Sequence, residues 1–330
     1  MALGNSARVQ LAQHTLRISD PAASVRFYQN NLGMSLLTQR VQGSATHYFL
    51  GFIEPGNAAA LIEPDVAQWQ PICFLELIHD SGRPPADIRK QPDTSEGYWK
   101  IAISVKDVAV ARDHLIANGV DVDNPRQIPD IAYLCHLNDP DNYCIELIQH
   151  DFLHNHVPEA ANSAYSLGTP PTFSLITYRV KDAAKSLMFY ENVLGMRLLS
   201  RQVVESREFT LYFLAYTDEE PPHADIESVN NREWLWQRPY TMVELQHIWG
   251  TESQPDFAYR VGPESGFEGV SIGAKGFDDF LEKIGKQDYE VEICDADPIL
   301  NAKTATVTDP DGYSIRLVDK GRLGVHRQQD

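Results

Sequence analysis

The sequence is short of three things. Only four of its 330 residues are cysteine, namely Cys73, Cys135, Cys144 and Cys294, and none are spaced as CxxC. So sparse a set neither staples a chain of this size nor makes a thiolate metal site, and free thiols are expected. Basic residues are also scarce: 28 Lys plus Arg stand against 46 Asp plus Glu, a formal charge of −18. That balance repels nucleic-acid phosphates and anionic lipid surfaces, so neither is an expected partner. No apolar run approaches the roughly 20 residues needed to span a bilayer, and the opening stretch MALGNSARVQLAQH carries no signal-peptide core. A cytoplasmic location is the expectation. What is present is ordinary for a globular protein: 43% hydrophobic and 22% charged residues, at a length that suggests two domains.

The chain repeats itself. RISDPAASVRFYQNNLGMSLLTQR from Arg17 returns as RVKDAAKSLMFYENVLGMRLLSRQ from Arg179, and Phe27 and Phe189 keep the same offset. HYFLGF at His47 answers to LYFLAY at Leu211, FLELIH at Phe74 to MVELQH at Met242, and NDPDNYCIELI at Asn138 to TDPDGYSIRLV at Thr308. Four blocks in one order indicate a tandem duplication.

Within each copy the pattern strand, helix, strands occurs twice. Alternation from Leu11 to Ile18 predicts a strand, and Asp20-Pro21 an N-cap with proline at the first helical position. Gly33 and Gly195 are expected at helix ends in the left-handed conformation. Asp182 and Asp107 are expected caps of later helices, and Phe277 to Ile284 a further helix. The fold class is therefore α+β, with tandem domains of two βαβββ units each and four units in total. Residues 8–150 form the first domain, 151–172 a Pro/Asn/Ser-rich linker, and 173–320 the second.

FYxNxLGM, YFLxY, VELxHxWGTE and DPDGYxI together resemble glyoxalase I of the vicinal-oxygen-chelate superfamily, in its fused two-copy form. The resemblance runs from about Gln13 to Asp319. It implies a lyase or isomerase acting on a small 2-oxoaldehyde adduct or related vicinal-oxygen substrate. It also implies one divalent metal, zinc or nickel, which polarises the substrate while a carboxylate moves a proton. The same superfamily includes metal-free binders of resistance or sequestration type and, less in keeping with these residues, extradiol-type dioxygenases.

Carried over one position at a time, the implied ligand set is uneven. The first position falls on Gln13 and Leu175, the second on Glu76 and Glu244, the third on Lys100 and Gly269, and the fourth on Glu146 and Arg316. Pairing units within a copy, or across copies as the resemblance implies, gives different groupings, and neither is a full ligand set. Retained metal-ligand chemistry rests on Gln13, Glu76, Glu146 and Glu244, with Glu76 or Glu146 as base and at most one metal per chain. Lys100 and Arg316 are expected to replace metal charge by salt bridges. Arg17 and Arg179 match the position that contacts the glutathione glutamyl group and, with Lys100, are the candidate substrate-binding residues. Asp80 or Ile248 replaces the family asparagine, and Glu96 or Ser265 an arginine, which argues against glutathione.

His14 should face away from Gln13, since neighbouring strand residues point oppositely. His79 and His247 are expected in core hydrogen bonds, His136 as a stand-in ligand only if it faces the cavity, and His154 and His156 in solvent. The aromatic pairs Phe27/Tyr28 and Phe189/Tyr190 read as core. A monomer or homodimer that binds a small molecule completes the expectation.

Overall fold

A computed structural model describes residues 9–53, 73–88 and 94–320. Residue 8, the expected start of the first domain, lies outside that range.

Four units follow in order. The first holds β1 (Val9–Arg17), α1 (Pro21–Asn30), β2 (Ser35–Gln42), β3 (Ala45–Gly51) and β4 (Phe74–Asp80). The second holds β5 (Tyr98–Val105), α2 (Val108–Ala117), β6 (Arg126–Ile128), β7 (Ala132–Asn138) and β8 (Cys144–Gln149). In the third are β9 (Thr172–Arg179), α3 (Ala183–Leu187), β10 (Arg197–Val204), β11 (Phe209–Ala215), the short α4 (Arg232–Trp236) and β12 (Met242–Ile248). The last contains β13 (Phe267–Ala274), α5 (Phe277–Gly285), β14 (Glu292–Asp297), β15 (Ala302–Thr308) and β16 (Ser314–Asp319).

The predicted helix signals act as expected. Asp20 accepts from Ala23 N ahead of Pro21, Asp107 accepts from Ala109 N and Val110 N, and Asp182 from Ala184 N and Lys185 N. Each satisfies amides that have no partner within the helix. α3 continues into a wider π-helical turn over Met188–Val193 before Gly195. Gly33 and Gly195 have φ of +82° and +76°.

The strands form two eight-stranded sheets, ordered β14-β15-β16-β13-β1-β4-β3-β2 and β10-β11-β12-β9-β5-β8-β7-β6. Units therefore pair across the copies, first with fourth and second with third. Antiparallel β1/β13 and β5/β9 make the joins, with Thr15 opposite Gly269 and Lys100 opposite Thr177. Within each unit the first and last strands run parallel, which sets Thr15 beside Glu76 and Thr177 beside Glu244.

One apolar core, including Leu16, Leu75, Ile103, Leu147, Ile176, Ile272 and Leu317, draws on both sheets. His14 belongs to it. Its ring lies 5.4 Å from Tyr98 and 5.3 Å from Phe267, and burial pushes its pKa down to about 3, so it is a neutral core residue. Phe27, Tyr28, Phe189 and Tyr190 are core as well.

Contacts within a copy use the helices instead. Tyr28 donates to Asp139 (2.9 Å) and Ser24 to Asp141 (2.8 Å), so α1 grips the turn before β8. Tyr190 donates equivalently to Asp309 (3.0 Å). Cys135 and Cys144 are free and out of register across β7/β8, where Cys135 faces Leu147 and Cys144 faces Asn138. His156 leaves solvent, contrary to expectation, and sits 3.0 Å from the cap Asp107. His247 approaches Glu252 at 2.9 Å near the surface rather than bonding in the core.

Two stability measurements follow. A Cβ at Gly195 would approach only the tip of Lys283, at 3.3 Å, so the cost of Gly195→Val is backbone strain. It should lower unfolding free energy by about 1 kcal/mol or more in denaturant titration. Burial and the neighbouring Asp311 push the Asp309 carboxyl up to about 7. A carboxyl raised on folding contributes stability that is complete below its unfolded pKa, about 3.9, and is lost as pH rises through its folded value. Asp309→Asn cannot ionise there, so its melting temperature should fall less than the wild type's between about pH 4 and about pH 7. Parallel profiles would mean that Asp309 is ionised throughout.

Candidate functional site

The register brings the eight candidate positions together as two groups, one per sheet. Gln13, Glu76, Gly269 and Arg316 fall on β1, β4, β13 and β16. Leu175, Glu244, Lys100 and Glu146 fall on β9, β12, β5 and β8.

In the second group a buried ammonium sits between two buried carboxylates. Lys100 Nζ donates to Glu146 Oε1 (3.0 Å), Glu244 Oε2 (3.2 Å) and Thr177 Oγ1 (3.3 Å). Thr177 donates in turn to Glu244 Oε2 at 2.9 Å. His136 Nε2 lies 3.0 Å from Glu146 Oε2, so His136 does face this site. Burial opposes charge on Lys100, but Glu146 and Glu244 outweigh it and raise its pKa, which keeps the ammonium protonated. The two carboxyls diverge. Burial raises both, but Lys100 and His136 together draw Glu146 below the ordinary range. Glu244 stays above it, because burial and the negative Glu146 outweigh its share of Lys100.

This cluster forms the polar floor of a cavity of about 520 Å³. The wall is apolar, with Leu134, Ile148, Leu175, Leu211, Phe213 and Trp236 among its residues, while Arg126 and Arg207 also line it. Asp121 and Asp123 line it too, so the cavity is of mixed character, with an apolar wall on one part and charged groups of both signs on the rest. Trp99 also lines it, its ring facing Lys100 Nζ at 4.8 Å on one hand and Arg179 at 5.5 Å on the other.

The first group is bound up differently. Glu76 is fully buried; its Oε1 meets His47 Nδ1 at 2.7 Å, and its Oε2 accepts from Thr15 at 2.8 Å and faces Arg316 at 3.5 Å. Burial raises this carboxyl, but Arg316 and His47 together hold it low. Gln13 is buried with its Oε1 unpaired among the described residues. Gly269 has φ of +116°, and a Cβ built on it would overlap the Ser314 carbonyl oxygen, so the position carries no side chain without a backbone shift.

The family likeness carries the expectation of a divalent metal, and these residues do not fit one. Leu175 and Gly269 offer no donor, Lys100 and Arg316 bring positive charge, and the oxygens of Glu76 are already engaged by His47, Thr15 and Arg316. Of the eight positions, Gln13 alone has a buried side-chain oxygen without a partner among the described residues. Among the described residues no cluster of three or more His, Cys, Asp or Glu side chains could hold a metal ion.

Arg17 and Arg179 turn to other partners. Arg17 donates to the Pro84 carbonyl (2.6 Å) and faces Glu268 at 3.7 Å. Arg179 donates to Gln246 Oε1 (2.8 Å) and the Glu96 carbonyl (2.7 Å). Neither lines the cavity. Glu96 is paired with Arg260 at 2.8 Å. Sequence reasoning missed Thr15 and Thr177, each bonded to the glutamate of its own unit. The repeat held the signal, since both stand two residues before the matched arginines.

Comparison with known proteins agrees with this architecture. The Glyoxalase/Bleomycin resistance protein/Dioxygenase superfamily matches residues 10–147 and 172–317. The chain is 34% identical to a protein named glyoxalase I from Saccharomyces cerevisiae, over 95% of this chain and 93% of the relative. It is 27% identical to a lactoylglutathione lyase from Schizosaccharomyces pombe, over 93% and 95% respectively. The crystal structure of glyoxalase I from Zea mays shares the fold, with a TM-score of 0.66 at 23% identity, over 94% of this chain and 92% of that one. No helix among the described residues is long and apolar enough to cross a membrane. The chain belongs to the Glyoxalase/Bleomycin resistance protein/Dioxygenase superfamily and is a glyoxalase I-like protein in fused two-copy form.

Proposed function

We propose that the chain is a glyoxalase I-like lyase or isomerase whose working site is the cavity between β5–β8 and β9–β12. Its substrate is a small vicinal-oxygen compound of the 2-oxoaldehyde-adduct type. The observation that carries this reading is the pairing of a full-length likeness to glyoxalase I proteins with a pocket floored by two carboxylates that share one lysine ammonium.

The reaction class needs a base that takes a proton from one carbon and returns it to the next, and a positive group beside the oxygen that becomes negative meanwhile. Glu146 is doubly engaged, by Lys100 and His136, and is held acidic. Glu244 is bonded at Oε2 by Lys100 and Thr177, whereas Glu146 is engaged at both oxygens, and Glu244 takes the base role here, in place of the Glu146 or Glu76 expected from sequence. Each sheet is completed by strands of one chain, which supports a protein that works as a monomer.

The test is turnover of hemithioacetals and other adducts of aliphatic and aromatic 2-oxoaldehydes, followed by absorbance, with Glu244→Gln alongside. The wild type should turn over, and the variant should lose about 10²-fold or more in kcat, the usual contribution of a positioned base. Saturable binding without turnover in the wild type would replace this reading with that of a binding protein.

A further inference from the structure

Both sheets present a buried glutamate to a cation that the chain itself supplies: Arg316 at Glu76, and Lys100 at Glu244 and Glu146. The second case is the more complete. An ammonium has three N–H donors and no acceptor. Lys100 Nζ meets three acceptors within 3.0 to 3.3 Å, and the residue is only 2% exposed. Its donor set is filled, and each oxygen it engages would otherwise be available to a metal. A divalent ion among these carboxylates would lie within a few ångströms of a like charge, in an interior that screens poorly.

We propose that the Lys100 ammonium is the resident cation of this cavity, tethered where the family likeness implies an exchangeable divalent metal, and that the site is metal-independent. This deepens the function proposed above and rests on it for the chemistry, whereas the assignment of the cation does not. A metal offers empty coordination positions to two substrate oxygens at once, but an ammonium offers N–H bonds along fixed directions. The contact to Thr177 is the longest of the three, and it is the one a substrate oxygen replaces. Glu146 then holds Nζ in place while Glu244 takes the proton and negative charge grows on that oxygen, so no ion has to be recruited from solution.

The experiment uses the full chain, stripped with chelator and then titrated with Zn²⁺ or Ni²⁺, with metal content and melting temperature as readouts beside turnover. The wild type should bind less than one-tenth equivalent of metal, keep its melting temperature within about 1 °C, and be indifferent to EDTA. Lys100→His removes the ammonium and adds a neutral donor beside Glu146 and Glu244. At saturating zinc it should take up one equivalent and melt roughly 5 °C higher than its own metal-free form. Lys100→Arg keeps the charge and should remain metal-indifferent, which separates the loss of positive charge from a folding defect. Stoichiometric metal in the wild type, lost in Glu146→Gln or Glu244→Gln, would overturn the proposal, as would a Lys100→His protein that folds but ignores zinc. If the metal results come out as expected and no adduct is turned over, the cation assignment stands and the catalytic reading fails alone.

Discussion

Unpaired backbone at the first strand of each unit is the constraint on which the rest depends. A lone βαβββ unit would leave the outer edge of that strand with a row of amides and carbonyls facing nothing, which is costly if buried and a site of promiscuous pairing if exposed. Here each first strand finds another first strand, β1 with β13 and β5 with β9, and each join crosses from one copy to the other. The contacts of Tyr28 with Asp139 and Tyr190 with Asp309 run within a copy. The two kinds of contact interlock, so neither copy owns a sheet and neither can leave without breaking both.

That interlock decides which residues share a cavity. Lys100 belongs to the first copy and Glu244 and Thr177 to the second, and only the β5/β9 register sets Lys100 opposite Thr177. Once the lysine is buried there its chemistry is narrowly constrained. A lone buried ammonium sheds its proton, whereas one with two carboxylates at hydrogen-bond distance keeps it. The reverse also holds, because Glu146 and Glu244 side by side repel each other and need a cation between them. Removing Lys100 would leave two buried carboxylates facing each other with no cation between them, a change that typically costs several kcal/mol, whereas removing one carboxylate leaves the other paired with Lys100.

Much of the fold was legible because its signals are local or periodic. Asp20, Asp107 and Asp182 cap helices through their own side chains, and Gly195 ends one through its own φ; none of this depends on distant parts of the chain. The fourfold unit was legible because repetition is a property of the string. His14 and Gln13 could be assigned to opposite faces by strand alternation alone. The pairing of units could not be derived this way, since within-copy and cross-copy joins place the same residue types at the same edges, and only the resemblance favoured one. Arg17 and Arg179 came from the resemblance alone: β1 runs regularly beside β4 and β9 beside β12 as far as these arginines, yet neither lines the cavity of the second sheet.

The two sites have departed from the implied ligand set by different routes, and the difference has consequences. In the β1–β13 sheet the obstacle lies in the backbone: Gly269 sits at positive φ against the Ser314 carbonyl, so any side chain there would require the strand to move. In the β5–β9 sheet Lys100 follows a bulge at Trp99 but is not at positive φ. It carries a side chain without strain beside its carboxylate neighbours, so that site is one substitution from a neutral donor at position 100. The cavity of the second sheet therefore holds its two carboxylates around a cation supplied by the chain. In the first sheet Glu76 is closed in by His47, Thr15 and Arg316, so its carboxylate charge is met by groups of the chain itself.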